Sequence, residues 1–291
     1  MSFEHPNRNN ESMIDVERDI MSRPSERNTT NLDLQRMKMI LDIMGHPEQS
    51  FRVIHITGTN GKGSTARMAE AICRAYGMRT GLYTSPHLEH VNERIAIDGQ
   101  QLSDDDFVDT WDQIKDLVAM VDMKMEELDK PKMSFFEVLT AMAIWKFADA
   151  PVDVAIVEVG MGGRWDATNV LDADAAIIGP IDMDHMAWLG NTVEQIASEK
   201  VGIIKPGCTA VIGRQPHEEA VMPIIEEAAR QNHANLVRDG IEAEVVTRIP
   251  AVAVRLRPCV RRMARTRKCR SPNSASIRPI TRSRPCARRK W

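Results

Sequence analysis

The 291-residue chain is 43% hydrophobic, enough to bury a sizeable core in one large domain or two ordinary ones. No apolar run reaches the roughly 20 residues of a membrane span, and the first thirty residues are polar with mixed charge, which argues against a membrane or secreted class and predicts a soluble, cytoplasmic protein with its five irregularly spaced cysteines reduced. The net charge of −3 conceals a split: residues 245–291 carry 15 basic residues and no acid, which leaves a net −18 on residues 1–244.

In chain order, residues 1–31 read as a polar, loose arm. Leu32–Met44 places Leu34, Met37, Ile40, Leu41 and Met44 on one face of a short helix ending near Gly45. Phe51–Thr57 is a strand by its β-branched content and runs into the glycine-rich turn Gly58-Thr59-Asn60-Gly61-Lys62-Gly63-Ser64. Ser64–Tyr76 is helical by pattern, and Arg79–Tyr83 is a short strand. Ser103 with Asp106 starts a helix through about Val121, and Ser134 with Glu137 starts another through Phe147, both as capping boxes. Val152–Val159 is a near-continuous apolar strand of the kind buried on both faces of a parallel sheet, followed by a strand at Ala175–Ile181 and helices at Thr192–Glu199 and Glu218–Gln231. This alternation predicts an α/β fold with a doubly wound, mostly parallel sheet.

A strand, the turn at 58–64 and a helix together form a phosphate-binding arrangement. Glycines let backbone N–H groups face inward, the helix N-terminus favours an anion, and Lys62 supplies positive charge. A glycine-rich surface turn is the plain alternative. The strict P-loop spacing is not met, because Gly63 separates Lys62 from Ser64.

That departure carries information. The turn closely resembles the P-loop of the Mur ligase superfamily, and the glycine before the serine resembles its folate branch, the folylpolyglutamate synthase / dihydrofolate synthase family. Further segments resemble the same family in order and spacing, from about residue 32 to 240. They are Tyr83-Thr84-Ser85-Pro86-His87-Leu88, the run Glu158-Val159-Gly160-Met161-Gly162-Gly163-Arg164-Trp165-Asp166-Ala167-Thr168-Asn169, Asp184-His185 with Leu189-Gly190, and Glu199–Lys205. The resemblance implies an ATP-dependent amide ligase. It would join L-glutamate to dihydropteroate, to a folate, or to both through an acyl phosphate, and act as a monomer.

On the same resemblance, residues 58–64 bind ATP, with Lys62, His185 and Lys200 catalytic. Ser85 and Glu158 hold one Mg²⁺, and His185 lies near a second. Lys200 sits in a helix-to-strand passage, where a lysine is usually solvated; the resemblance implies that it is carbamylated. The pterin is expected against Phe135, Phe136 and Glu137, with Trp165, Asp166 and Ala167 opposite, although Phe135 and Phe136 read equally well as core. Trp165 stands where leucine is common in the motif. The expected division is the arm 1–31, an ATP-binding domain 32–247 incomplete at its C-terminal end, and a basic, disordered tail 248–291 with the composition of an out-of-frame translation; the C-terminal ligase domain is expected to be absent and the chain inactive. A nucleotide-binding module with a nucleic-acid-binding tail is the alternative. Nucleic acid is not an expected partner, because Trp291 is the tail's one aromatic residue. A fragment of a peptidoglycan-precursor ligase is a further alternative, disfavoured by Gly63 and by Thr84-Ser85-Pro86-His87.

Overall fold

The computed structural model describes residues 12–25, 33–183 and 186–245, with short strand segments at 256–257, 259–261 and 269–270. The first unit, up to Ala243, is built on an eight-stranded sheet of order β4-β3-β2-β5-β1-β6-β7-β8. Its strands are β1 (Arg52–Thr57), β2 (Thr80–Tyr83), β3 (Ile95–Ile97), β4 (Gln100–Gln101), β5 (Val154–Glu158), β6 (Ala175–Ile178), β7 (Thr209–Ile212) and β8 (Asn235–Arg238). All neighbours from β2 to β8 pair in parallel, whereas β3 and β4 are antiparallel at one edge. The chain leaves β1 toward β2 and later crosses from β5 to β6 on its other side, so the direction of winding reverses around β1. In open α/β sheets that reversal opens a ligand crevice at the strands' C-terminal ends.

The helices are α1 (Met13–Met21), α2 (Gln35–Met44), α3 (Lys62–Ala75), α4 (Asp104–Glu127), α5 (Phe135–Asp149), α6 (Met186–Leu189), α7 (Val193–Lys200) and α8 (Glu218–Gln231). β-Branched residues suit β1 to a pleated surface, and its side chains alternate between faces. Val53 enters the large core with α1, α2, α4 and α5, whereas Ile54 and Ile56 pack with Ala66 and Cys73 of α3. α7 and α8 cover Ala176, Ile178, Ala210 and Ile212. All five β5 residues are buried, as a central parallel strand requires.

Two local readings change, and one element is added. Residues 13–21, expected within a loose arm, form α1, because Val16 and Ile20, one turn apart, bury fully against α4 and α5. Arg23 fastens its end, pairing with Asp122 at 2.9 Å and lying over the Trp111 ring at 5.7 Å. α4 continues to Glu127, since Met125 extends the buried stripe of Phe107, Trp111, Ile114, Val118 and Val121. The β3–β4 hairpin turns on Asp98 (φ 50°) and Gly99 (φ 76°), the left-handed pair a tight hairpin needs. In the second unit, Leu256–Arg257 pairs antiparallel with Cys269–Arg270, and Cys259–Arg261 is a further short strand segment; the other residues of 246–291, and with them the expectations for the tail, lie outside the described residues.

Candidate active site

The loop between β1 and α3 opens at the strands' C-terminal ends. Gly58 (φ 150°) presses on the next loop, where a Cβ would stand 3.1 Å from Gly179 Cα. Thr59 N donates to Pro180 O (2.8 Å), and Thr59 Oγ1 donates to Asp182 O (3.0 Å). Gly61 (φ 78°) is the N-cap of α3, and no side chain caps the helix there. Its first amides therefore face outward at the positive end of the helix dipole. Lys62 Nζ donates to Gly58 O (3.1 Å) and Thr59 O (3.4 Å), and Ser64 Oγ to Gly61 O (3.0 Å).

Glu158 ends β5 beside this loop. It is 3% exposed, and its Oε2 accepts the Ser85 N–H at 3.0 Å. A Cβ at Gly63 would stand 3.2 Å from that same Oε2, so glycine brings the first turn of α3 against the carboxylate. Burial pushes the Glu158 pKa above its ordinary value, opposed by the Ser85 amide and by the charges of Lys62, Arg67 and Arg94. Ser85 begins a loop that closes on Glu93, whose carboxylate accepts the N–H groups of Leu88, Glu89 and His90 at 2.8–2.9 Å and is drawn down to about 2 by them. Arg94 Nε donates to His87 Nδ1 (3.0 Å), and its guanidinium lies 5.0 Å over the Phe135 ring.

Lys200 is not on a solvated face. It is 1% exposed, and its Nζ donates to Gly58 O at 3.0 Å, the carbonyl that also receives Lys62. The end of α7 is brought inward because the 160–164 loop packs directly on it. A Cβ on Gly163 would stand 2.8 Å from Glu199 O and Lys200 O, and one on Gly202 would stand 2.6 Å from Arg164 Cα.

Across the crevice, Phe136 is buried with its ring 5.7 Å from Tyr83. Gly160 lets it approach Asp166: a Cβ there would stand 2.6 Å from Phe136 Cζ and 3.1 Å from Asp166 Oδ2. Asp166 accepts from Met161 N (2.8 Å), from Thr168 N (3.0 Å) and from Thr168 Oγ1, and burial pushes its pKa up. Glu137 is committed elsewhere. Its two oxygens accept Arg36 Nε–H at 3.0 and 2.9 Å, and Oε2 also accepts Ser134 N–H at 2.8 Å, which ties α2 to α5. Phe135 is half-buried and Ala167 buried, both packed with the large core. Trp165, 45% exposed, borders a groove of about 490 Å³ with Asp33, Leu34, Gln35, Lys38, Met39 and Asp42. Sequence reasoning gave α2 no part in the site, since its apolar spacing signals packing and nothing in it points to a ligand.

The fold therefore gathers residues 58–64, Ser85, Glu158 and Lys200 at one end of the sheet, with Phe136 and Asp166 together nearby; His185 lies outside the described residues. Among the described residues, no cluster of three or more His, Cys, Asp or Glu side chains is arranged to hold a metal. No helix among them is long and apolar enough to cross a membrane.

Comparison with known proteins agrees with this geometry. The dihydrofolate synthase/folylpolyglutamate synthase of Mycobacterium tuberculosis is 47% identical over 228 residues, covering 75% of this chain and 46% of that protein. The protein of the same name from Bacillus subtilis is 42% identical over 199 residues, 68% of this chain and 45% of its own length. The chain thus spans about half the length of the curated relatives it matches. The structure of Mycobacterium tuberculosis folylpolyglutamate synthase complexed with ADP superposes with a TM-score of 0.79 at 44% identity, covering 85% of this chain and 54% of that one. The Mur ligase middle domain matches residues 56–254, more than half of the sequence, and the chain belongs to that family.

Proposed function

We propose that the chain forms the nucleotide-binding part of an ATP-dependent amide ligase that adds L-glutamate to dihydropteroate, to a folate, or to both. The observation that carries this reading is the meeting of three features: the uncapped start of α3, Lys62, and the desolvated Glu158 carboxylate facing Gly63. The relative with ADP bound and the relatives' names supply the nucleotide and the folate chemistry. The boundaries 1–31, 32–247 and 248–291 are part of the proposal, with α1 of the first segment packed on the ATP-binding domain and the last segment a basic tail, as are a cytoplasmic location and a monomeric state.

In this reading the amides of residues 59–64 and Lys62 hold the β- and γ-phosphates and spread their charge. A hard cation fits beside Glu158, because an anionic oxygen with few competing partners, next to phosphate, is what Mg²⁺ binds. Glu158 and Ser85 would hold it, with His185 serving a second ion; bound there, Mg²⁺ neutralises the phosphate charge as the acyl phosphate forms. Lys200 also fits a carbamate, since a carbamylated amine keeps one N–H for Gly58 O while gaining an anionic end. Phe136, Asp166 and Trp165 form the pterin side with Phe135, Glu137 and Ala167, where rings stack on a flat heterocycle and carboxylates fix its polar edge; Glu137 acts there through Arg36 by setting α2 against α5. Transfer of radiolabelled L-glutamate to dihydropteroate or tetrahydrofolate, with ATP and Mg²⁺, tests the reading in the protein that carries this chain. ATP-dependent amide formation supports it. Intact nucleotide binding without amide formation favours a nucleotide-binding module instead.

A further inference from the structure

His55 lies in the middle of β1, its side chain buried and directed to the turn at Ala167–Val170. Burial, with the charge of Lys205, pushes its pKa down to about 3, so the ring is neutral at working pH. A neutral imidazole offers one N–H donor and one bare nitrogen acceptor. Nε2 stands 2.8 Å from Thr168 Oγ1, and that hydroxyl donates its single hydrogen to Asp166 Oδ1. Nε2 is therefore the protonated nitrogen, and the chain runs from His55 through Thr168 to Asp166. Nδ1 is buried with no hydrogen-bond partner among the described residues, so the bond to Thr168 is what separates this ring from an apolar side chain of similar size. The carboxylate at the end of the chain is the one that Gly160 allows against Phe136.

We propose that His55 is a positioning residue for the pterin side of the site: its Nε2–H fixes the Thr168 hydroxyl, which fixes the Asp166 carboxylate presented to the substrate. The proposal rests on the reading of residues 135–137 and 165–167 as that side. A histidine that merely packed would act through β1, which runs straight into Gly58, and its loss would weaken nucleotide binding at least as much as pterin binding. A positioning histidine separates the two.

The test titrates the full chain and its His55→Leu, His55→Gln and Thr168→Val variants with dihydropteroate and, separately, with Mg-AMPPCP. His55→Leu and Thr168→Val are expected to weaken dihydropteroate about tenfold, the scale of one lost hydrogen bond, and to leave AMPPCP within about twofold. Glutamine, whose amide N–H reaches nearly as far as Nε2, is expected to return dihydropteroate binding to within about threefold of the parent. Equal losses for both ligands in His55→Leu, an inert Thr168→Val, or no rescue by glutamine would overturn the proposal. Imidazole ¹⁵N spectra, which need no substrate, are expected to give an Nε2–H tautomer that does not titrate between about pH 5 and 8. An Nδ1–H tautomer overturns the relay alone, whereas dihydropteroate that binds none of the four proteins overturns the pterin reading and the role with it.

Discussion

On the phosphate-loop side, groups that can meet a ligand are held in place but not consumed. The first amides of α3 have no side-chain cap, and Lys62 rests on loop carbonyls that a phosphate can replace. On the pterin side the polar groups are already bound to one another: Glu137 with Arg36 and Ser134, and Asp166 with Met161 and Thr168. In the proposed function the first arrangement suits an anion that arrives with its own charge and needs donors. The second suits the flat, uncharged pterin ring of its substrate, which needs a rigid wall, and a satisfied buried network is rigid because every displaced member leaves another unpaired.

Five substitutions, one of them combined with Arg36→Met, sharpen or break this contrast. Removing one partner from the pterin-side network should have the largest effect. Arg36→Met strands the Glu137 carboxylate in a site where the two side chains are 5% and 4% exposed, a loss of about 3–5 kcal/mol of folding stability by denaturant titration. Arg36→Met with Glu137→Leu should recover most of that loss, and a double variant as unstable as the single one would show that the pair's charges are not what matters. On the open side, Lys62→Ala should leave stability nearly unchanged yet cost about 3–4 kcal/mol of transition-state stabilisation in nucleotide-dependent phosphoryl transfer, read from kcat/KM in the glutamate-transfer assay.

Glu158→Gln should divide stability from binding. The folded protein holds the Glu158 proton more tightly than the unfolded chain does, so the native state loses stability as pH rises from about the ordinary 4.5 through the raised folded value, and is flat above it. The glutamine variant should therefore be more stable than the parent at neutral pH, with a smaller fall across that window, while its nucleotide affinity loses its Mg²⁺ dependence. The smallest effect is local. Glu93 has a depressed pKa of about 2, so its hold on three loop amides is complete above the ordinary 4.5 and is lost as pH falls through about 2. Glu93→Gln should speed hydrogen exchange at Leu88, Glu89 and His90 several-fold at neutral pH and leave the β5 amides unchanged.

The contrast also explains what could be read from the sequence. The phosphate loop is a local object: strand, glycines, lysine and helix start follow one another within thirteen residues, 52–64, and each signal is legible by itself. The pterin-side network and the burial of Lys200 are not local. Arg36 meets Glu137 at a separation of 101 residues, His55 meets Thr168 at 113, and Lys200 meets Gly58 at 142. A buried polar residue and a solvated one look the same in sequence until the partner is placed. α1 did carry a signal, the Ser12 cap with Asp15 and the helical spacing of Met13, Val16 and Ile20, which the polar composition around it outweighed. The β3–β4 hairpin also carried a signal, the Asp98-Gly99 pair directly after the short apolar run Ile95–Ile97.

The claim on which the rest depends is that residues 58–64, with Glu158 beside them, form a Mg-nucleotide site. Titration of ¹⁵N-labelled chain with AMPPCP and Mg²⁺ tests it most directly. The account predicts saturable amide shifts centred on Thr59–Ser64, absent from Lys62→Ala and independent of Mg²⁺ in Glu158→Gln. Saturating nucleotide that leaves those amides unmoved, or shifts that survive unchanged in Lys62→Ala, would contradict it.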